Sequence, residues 1–295
     1  MPPAPRRGHR RAPPGPPAAD TRDPHTEGCP VTTRFHELTG PQTATVLTPA
    51  SVLLVPIGAI EHHGPHLPLV TDALMAEAAV EALVPRAREA GIDAWQLPTL
   101  QIAKSDEHCW APGTLWLSGE TLMDVLVEIG RSITTTPARK VVFVNGHGGN
   151  VALLQVANRE LRRRFGLQTF SMPALGTAGR TSDDPTLPDE HGLGIHGGWA
   201  ETSIVMHLRP DLVHPELFAR NVPEWFDDYE MLGFNGKPVS FGWLSDDFGP
   251  AGIIGDPTAA TAAAGKALFD EAIERGLVAL GEIDRFTLPE RTTLI

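Results

Sequence analysis

These 295 residues contain no apolar run long enough to cross a bilayer, and no apolar core of the kind a signal peptide carries. Cysteine is almost missing. Cys29 and Cys109 alone give no disulfide framework, so a reducing compartment, the cytoplasm, is the expected location. Positive charge is scarce too: 24 Lys and Arg face 36 Asp and Glu, a formal net charge of −12. A surface of that sign argues against nucleic acid and anionic membranes as partners. The first thirty residues run the other way, with five Arg against Asp20, Asp23 and Glu27, a net of +2 that leaves −14 for the rest. Residues 1–32 are rich in Pro, Arg and Ala and have no hydrophobic period. Such a segment cannot bury enough surface to offset its ordering entropy, so a disordered tail is predicted. An over-long gene start, with translation beginning near Val31, fits the same composition.

From about Phe35 the pattern is globular. Ser51–Ile57 reads as a buried strand, Ala73–Ala90 as a helix, and Ala94–Ile102 as an extended stretch interrupted by Pro98. An amphipathic helix over Ser118–Ile133 is capped by Ser118. Lys140–Asn145 is a short apolar strand, and a helix follows from Asn150, read as its N-cap, to Phe165. Leu167–Leu175 is a strand, Ala200–Leu208 a helix stopped by Pro210, and Asp256–Gly281 an Ala-rich helical stretch. Strand and helix alternate. The expected fold class is therefore α/β, a three-layer sandwich whose mostly parallel sheet is covered by helices on both faces.

The loops after the strands carry the chemistry. Directly after the first strand come Glu61-His62-His63-Gly64, with Asp72 eleven residues beyond Glu61. After Lys140–Asn145 comes Gly146-His147-Gly148-Gly149-Asn150. A third group is His196-Gly197-Gly198-Trp199-Ala200-Glu201, and a fourth is Ser105-Asp106-Glu107-His108. Carboxylate and imidazole are the ligand set for Zn²⁺, Mn²⁺ or Fe²⁺. Any one such histidine is more often a residue bonded to nearby backbone, and any one such acid a surface carboxylate. Four loops carrying both types change that balance, because loops at one edge of a sheet converge in space.

Three of these segments carry a resemblance: Pro56-Ile57-Gly58-Ala59-Ile60-Glu61-His62-His63-Gly64-Pro65-His66-Leu67-Pro68 with Thr71-Asp72, Asn145-Gly146-His147-Gly148-Gly149-Asn150, and Glu201-Thr202-Ser203. Together they resemble the creatininase family of metal-dependent amidohydrolases, over about Val52 to Asp284. The resemblance implies a catalytic domain over residues 33–288, followed by a short C-terminal tail at 289–295. It implies two divalent metal ions (Zn, Mn or Fe), with Glu61, His63, Asp72 and His147 as ligands and Asp72 bridging. In creatininase itself a Glu that binds metal stands two residues after the His matching His147; here that position is Gly149. Glu201 is the acid expected to compensate. The departure points to the broader family rather than to creatininase proper.

The implied reaction is hydrolysis of an amide-type C–N bond in a small molecule, cyclic ones included, by a metal-bound hydroxide. His196 is the first candidate for proton transfer and His108 the second. Trp199, Trp110 and Ser105 are candidate substrate contacts, with core packing the competing role for either Trp. The same Gly-for-Glu pattern occurs in the family's peptidase of the mycofactocin-precursor type and in its deformylases and hydrolases of sugar-derived ketones. A metal-stabilised binding protein without turnover is the reading from another class. Structural zinc sites are closed and mostly Cys or His, whereas this one is carboxylate-rich and lies on Gly-bearing loops. The resemblance further implies a homo-oligomer, a ring-like hexamer.

Overall fold

The computed structural model describes residues 32–175, 189–234 and 237–288. Residues 1–31 of the predicted tail at 1–32, the predicted tail at 289–295, and Cys29 lie outside the described residues. Helices and strands follow in the order α1 (Gly40–Val46), β1 (Val52–Ile57), α2 (Thr71–Glu89), β2 (Ala94–Gln96), α3 (Gly119–Ile133), β3 (Lys140–Asn145), α4 (Val151–Phe165), β4 (Gln168–Pro173), α5 (Trp199–Leu208) and α6 (Ala262–Arg285). Among the described residues the four strands form one sheet, ordered β2-β1-β3-β4, with every pair parallel. This is the expected three-layer α/β sandwich.

The layers follow from strand alternation. Leu53, Val55 and Ile57 of β1, with Val141 and Phe143 of β3, pack against Leu122 and Leu126 of α3 and Leu154 and Leu161 of α4. Val52, Leu54, Val142 and Val144 point the other way, onto Met75, Ala79 and Leu83 of α2 and Phe269, Ile273 and Leu280 of α6. Both central strands are buried at every position, which is why they read as continuous apolar runs. Each fully buried Leu or Ile contributes about 1.5–3 kcal/mol, so the two central strands dominate the stability of the sheet. Ile57 and Asn145 are register partners, so β1 and β3 end side by side and their loops leave from one edge. Among the described residues no helix is long and apolar enough to cross a membrane.

The structure differs from the sequence reading in four places. β2 is only three residues long. Beyond it, Leu97 and Leu100 donate single hydrogen bonds to the carbonyls of Leu54 and Pro56 as the chain departs at Pro98. That departure is also what tolerates Pro56 in a central strand, since no partner asks for its missing N–H. Helix α1 was not anticipated; Thr39 caps it, with Gln42 closing a capping box. The last helix begins later, at Ala262, with Thr261 accepting from the Ala264 N–H. Asn150 is not an N-cap, because it already has helical angles and its side chain bonds elsewhere.

Candidate metal centre

Helix α2 starts unusually close to the strand ends. A Cβ on Gly58 would lie 2.4 Å from the Ala73 nitrogen, and one on Gly146 would lie 2.2 Å from the Asp72 carbonyl oxygen. Only glycine lets the first turn of α2 press against both loops, and Asp72 rides on that turn. Asn150 fixes the same region: its amide donates to the Gly58 carbonyl at 3.0 Å, and its oxygen accepts from Lys104 N at 3.2 Å. The loops after β1, β2 and β3 are thereby tied together under the cluster.

Three imidazoles are oriented in one way. Nδ1 of His63 meets the Glu61 carbonyl at 3.1 Å, Nε2 of His147 meets the Lys104 carbonyl at 2.7 Å, and Nε2 of His196 meets the His62 carbonyl at 2.7 Å. A carbonyl accepts only, so each of these nitrogens carries the proton and donates. The other nitrogen of each ring faces carboxylate, and once it is deprotonated its lone pair is open to an ion. His63 Nε2 lies 3.2 Å from Asp72 Oδ1 and 3.7 Å from Glu201 Oε2. His147 Nδ1 lies 3.0 Å from Asp72 Oδ2 and 3.3 Å from Glu61 Oε2. His196 Nδ1 lies 3.6 Å from Glu61 Oε1. The two oxygens of Asp72 thus face different histidines. This arrangement of ring N–H on backbone and free nitrogen toward acid is the one metal-ligating histidines adopt.

Ligand atoms within 4.8 Å of one another fall into three groups: Glu61, His63 and His196; Glu61, Glu107 and His147; and His63, Asp72 and Glu201. His63 Nε2 and Asp72 Oδ2 are buried without a hydrogen-bond partner. Orphaned buried polar atoms of this kind are costly unless something fills the space between them. A divalent cation fits, in charge and in donor chemistry.

The electrostatics agree. Burial by itself disfavours the charged forms throughout. It is outweighed at His63 by the Asp72 and Glu201 carboxylates, and at His147 chiefly by Glu61, which raise both imidazoles well above their ordinary value. Burial likewise opposes ionisation of Asp72 and Glu201, yet the His63 charge holds each at about 2. His196 and His108 go the other way. Burial first, and the positive charge of His63 next, lower His196; burial and His196 push His108 to about 2. Both are therefore neutral.

The remaining candidates divide. Ser105 is fully buried and donates to Glu61 Oε2 at 2.5 Å. His108 Nε2 lies 3.6 Å from Glu61 Oε1, with its ring 4.3 Å from that of His196. Trp110 is half-buried, donates to Ser245 Oγ at 2.7 Å and meets the His62 ring edge-on at 5.3 Å. Trp199 is buried and spends its indole N–H on the Ala259 carbonyl at 3.2 Å, a packing role. His62 turns away from its neighbour, with Nε2 on the Ala251 carbonyl. Two residues of the cluster were not singled out in the sequence. His66 is buried, bonds Thr202 Oγ1 at 3.1 Å and ties the β1–α2 loop to α5; burial and the His63 charge lower it to about 4. Glu107 lies 3.3 Å from His147 Nε2. Its signal was present in Ser105-Asp106-Glu107-His108, but nothing local marks one acid of that pair.

Comparison with known proteins places these features. The creatininase family profile, described as creatinine amidohydrolase, matches residues 36–280. The mycofactocin precursor peptide peptidase of Mycolicibacterium smegmatis is 35% identical over 224 residues, which is 75% of this chain and 81% of that protein. The creatinine amidohydrolase of Pseudomonas putida is 32% identical over 196 residues, 61% of this chain and 73% of that protein. A solved type II creatininase mutant superposes with a TM-score of 0.67 at 25% identity, covering 86% of this chain and all of the other. The chain belongs to the creatininase family of metal-dependent hydrolases and is an enzyme of that class.

Proposed function

With that membership as premise, we propose that the chain hydrolyses an amide-type C–N bond with the help of two divalent metal ions. The observation that carries this reading is the common orientation of His63 and His147, each with one ring N–H on a backbone carbonyl and its other nitrogen toward buried acid. One ion would be held by Glu61, Asp72 and His147, the other by His63, Asp72 and Glu201, with Asp72 shared. Bound there, divalent ions supply Lewis acidity and an acidified water at neutral pH. The chain's own groups do the rest. Ser105 fixes the Glu61 carboxylate, and the Lys104 and Glu61 carbonyls fix the tautomers of His147 and His63. His196, neutral and with Nδ1 unprotonated, takes a proton at that atom and returns it to the leaving nitrogen. Mixed nitrogen and oxygen donors suit zinc, manganese and iron alike. The experiment is removal of metal by chelation, then reconstitution with each of the three ions and a substrate panel of creatinine, formamides and short peptides. Chelator-insensitive turnover would refute the metal reading.

A second substrate reading rests on a specific observation: identity and coverage are higher toward the mycofactocin precursor peptide peptidases than toward the creatinine amidohydrolase. It takes the scissile bond to be an amide within a peptide. Release of C-terminal fragments from the peptide arm of the panel, without turnover of creatinine, selects it.

A further inference from the structure

We propose that Glu190 is a positioning residue for His196. Its carboxylate closes the loop that carries His196 by capping α5 in place of the side chain that Gly198 lacks. The proposal rests on the proton-transfer role given to His196 above and adds the residue that holds it in place.

Four observations carry it. Gly198 is the N-cap of α5 and offers no side-chain acceptor to the unpaired N–H groups of the first turn. Glu190 Oε1 accepts from the Trp199 N–H at 3.1 Å, and the same oxygen accepts from the Asp256 N–H at 2.6 Å. One oxygen thus joins the start of α5 to the segment that leads into α6. Second, the space for the carboxylate is made by glycine. A Cβ would lie 1.9 Å from Glu190 Oε2 at Gly194, 2.5 Å from Oε1 at Gly198 and 2.9 Å from Oε1 at Gly255. Three separate backbone positions therefore leave room for one side chain.

Third, His196 lies in the loop that this carboxylate closes. Its N–H donates to the Ile254 carbonyl at 3.1 Å, and its carbonyl accepts from the Ile254 N–H at 2.8 Å. The Glu190 bridge holds both arms of that pair, one through Trp199 and the other through Asp256. The pair in turn sets the ring, whose Nε2 rests on the His62 carbonyl and whose Nδ1 faces Glu61. Fourth, among the described residues no cation answers the Glu190 charge. Arg220 pairs with Glu224 and Asp256 and donates to the Asp189 carbonyl. Burial raises the Glu190 carboxyl above its ordinary value; the Asp256 and Trp199 N–H groups oppose this, and the Asp256 and Glu201 charges add to it. An acid placed without a counter-charge is a costly way to stabilise a loop, and its backbone bonds are what hold it there.

The test uses the full, metal-loaded chain. Glu190→Ala is expected to speed amide hydrogen exchange, read by mass spectrometry, in the peptides that span His196–Trp199 and Ile254–Asp256, with β1 and β3 protected as in wild type. It is expected to keep its metal by elemental analysis. On the panel member that wild type hydrolyses, kcat should fall by about 10²-fold with KM little changed, the effect of a misplaced catalytic group. Glu190→Gln should restore most of the turnover, because an amide oxygen accepts the same two N–H groups. In a His196→Ala background, Glu190→Ala should have almost no further effect, since the two residues act as one unit. If Glu190→Ala does not fold, Gly194→Ala takes its place, because its Cβ displaces the carboxylate without removing it. Wild-type exchange in both segments, loss of an ion, or an equal loss of kcat in the two backgrounds overturns the proposal. A wild type that hydrolyses no member of the panel sinks the reading of the reaction instead, and the exchange arm still decides whether Glu190 holds His196.

Discussion

Replacing Gly146 by alanine adds one methyl group at the place where α2 meets the strand ends. The backbone angle at Gly146 is one that any residue adopts, so only the contact matters. The new Cβ would lie 2.2 Å from the Asp72 carbonyl oxygen and 3.3 Å from the Ala76 Cβ. Real Cβ contacts essentially never fall under 3.0 Å, so something must give by at least 0.8 Å. The obstacle is backbone in a buried first turn and cannot swing aside. Overpacking of this kind costs about 1–3 kcal/mol. For a body of this size each kcal/mol moves Tm by about 2–4 °C. The movement falls on Asp72, so metal affinity should drop with stability. Gly148→Ala is the control: it lies two residues away, with nothing within 4 Å of its would-be Cβ, and should be neutral to about 0.5 kcal/mol. Calorimetry of the metal-free chain gives the first quantity and competition with a chromophoric chelator the second. Gly146→Ala with wild-type Tm and zinc affinity would refute the claim that this contact sets the position of Asp72.

Further outcomes are expected. His196→Ala should keep its metal, by elemental analysis, and lose turnover by about 10²–10⁴-fold, as for a lost general acid or base; loss of an ion would make His196 a ligand and His108 the leading proton carrier. In the metal-free chain His63 and His147 have raised values, so their contribution to stability is present below about pH 6.5 and fades as pH rises through the folded values. Asp72 and Glu201, held at about 2, contribute above about pH 4 and lose that contribution as pH falls toward 2. Tm of the apoprotein should therefore fall on both sides of a pH 4.5–6.5 window, whereas zinc affinity should rise with pH above about 6.5 because the ion competes with the imidazole protons; an apoprotein Tm that keeps climbing above pH 7 counts against it. The homo-oligomer implied by family resemblance predicts a multiple of the chain mass in light scattering at micromolar concentration, and a monomer mass would refute it.

What the sequence disclosed and what it hid divide along contact range. Glu61, His63 and Asp72 lie within twelve positions, and β1 and β3 are apolar throughout, so residue types alone placed those donors at the end of a buried parallel strand. The α/β sandwich was legible for the same reason, since alternation of strand and helix is local. Helix α1 was not, because its seven residues have no buried face to impose a period. Asn150 misled because a helix does follow it. Its side chain spans from the Gly58 carbonyl to Lys104 N instead of capping that helix, and no local pattern records such a span.

The deeper limit concerns atoms rather than residues. A histidine has two nitrogens, and which one can meet an ion or take up a proton depends on where the other sends its own. For His147 that partner is the Lys104 carbonyl, 43 positions back, and for His196 it is the His62 carbonyl, 134 positions back. Both partners are main-chain oxygens, which every residue possesses, so no choice of amino acid at 104 or 62 advertises the bond. The same holds for Glu107, whose place depends on the missing side chain at Gly149. Ligand types can be read from the chain, but their tautomers and the space around them are set by the loop packing that Gly58, Gly146 and Asn150 impose. A change at those three positions should therefore disturb the metal centre although none of them offers it a ligand.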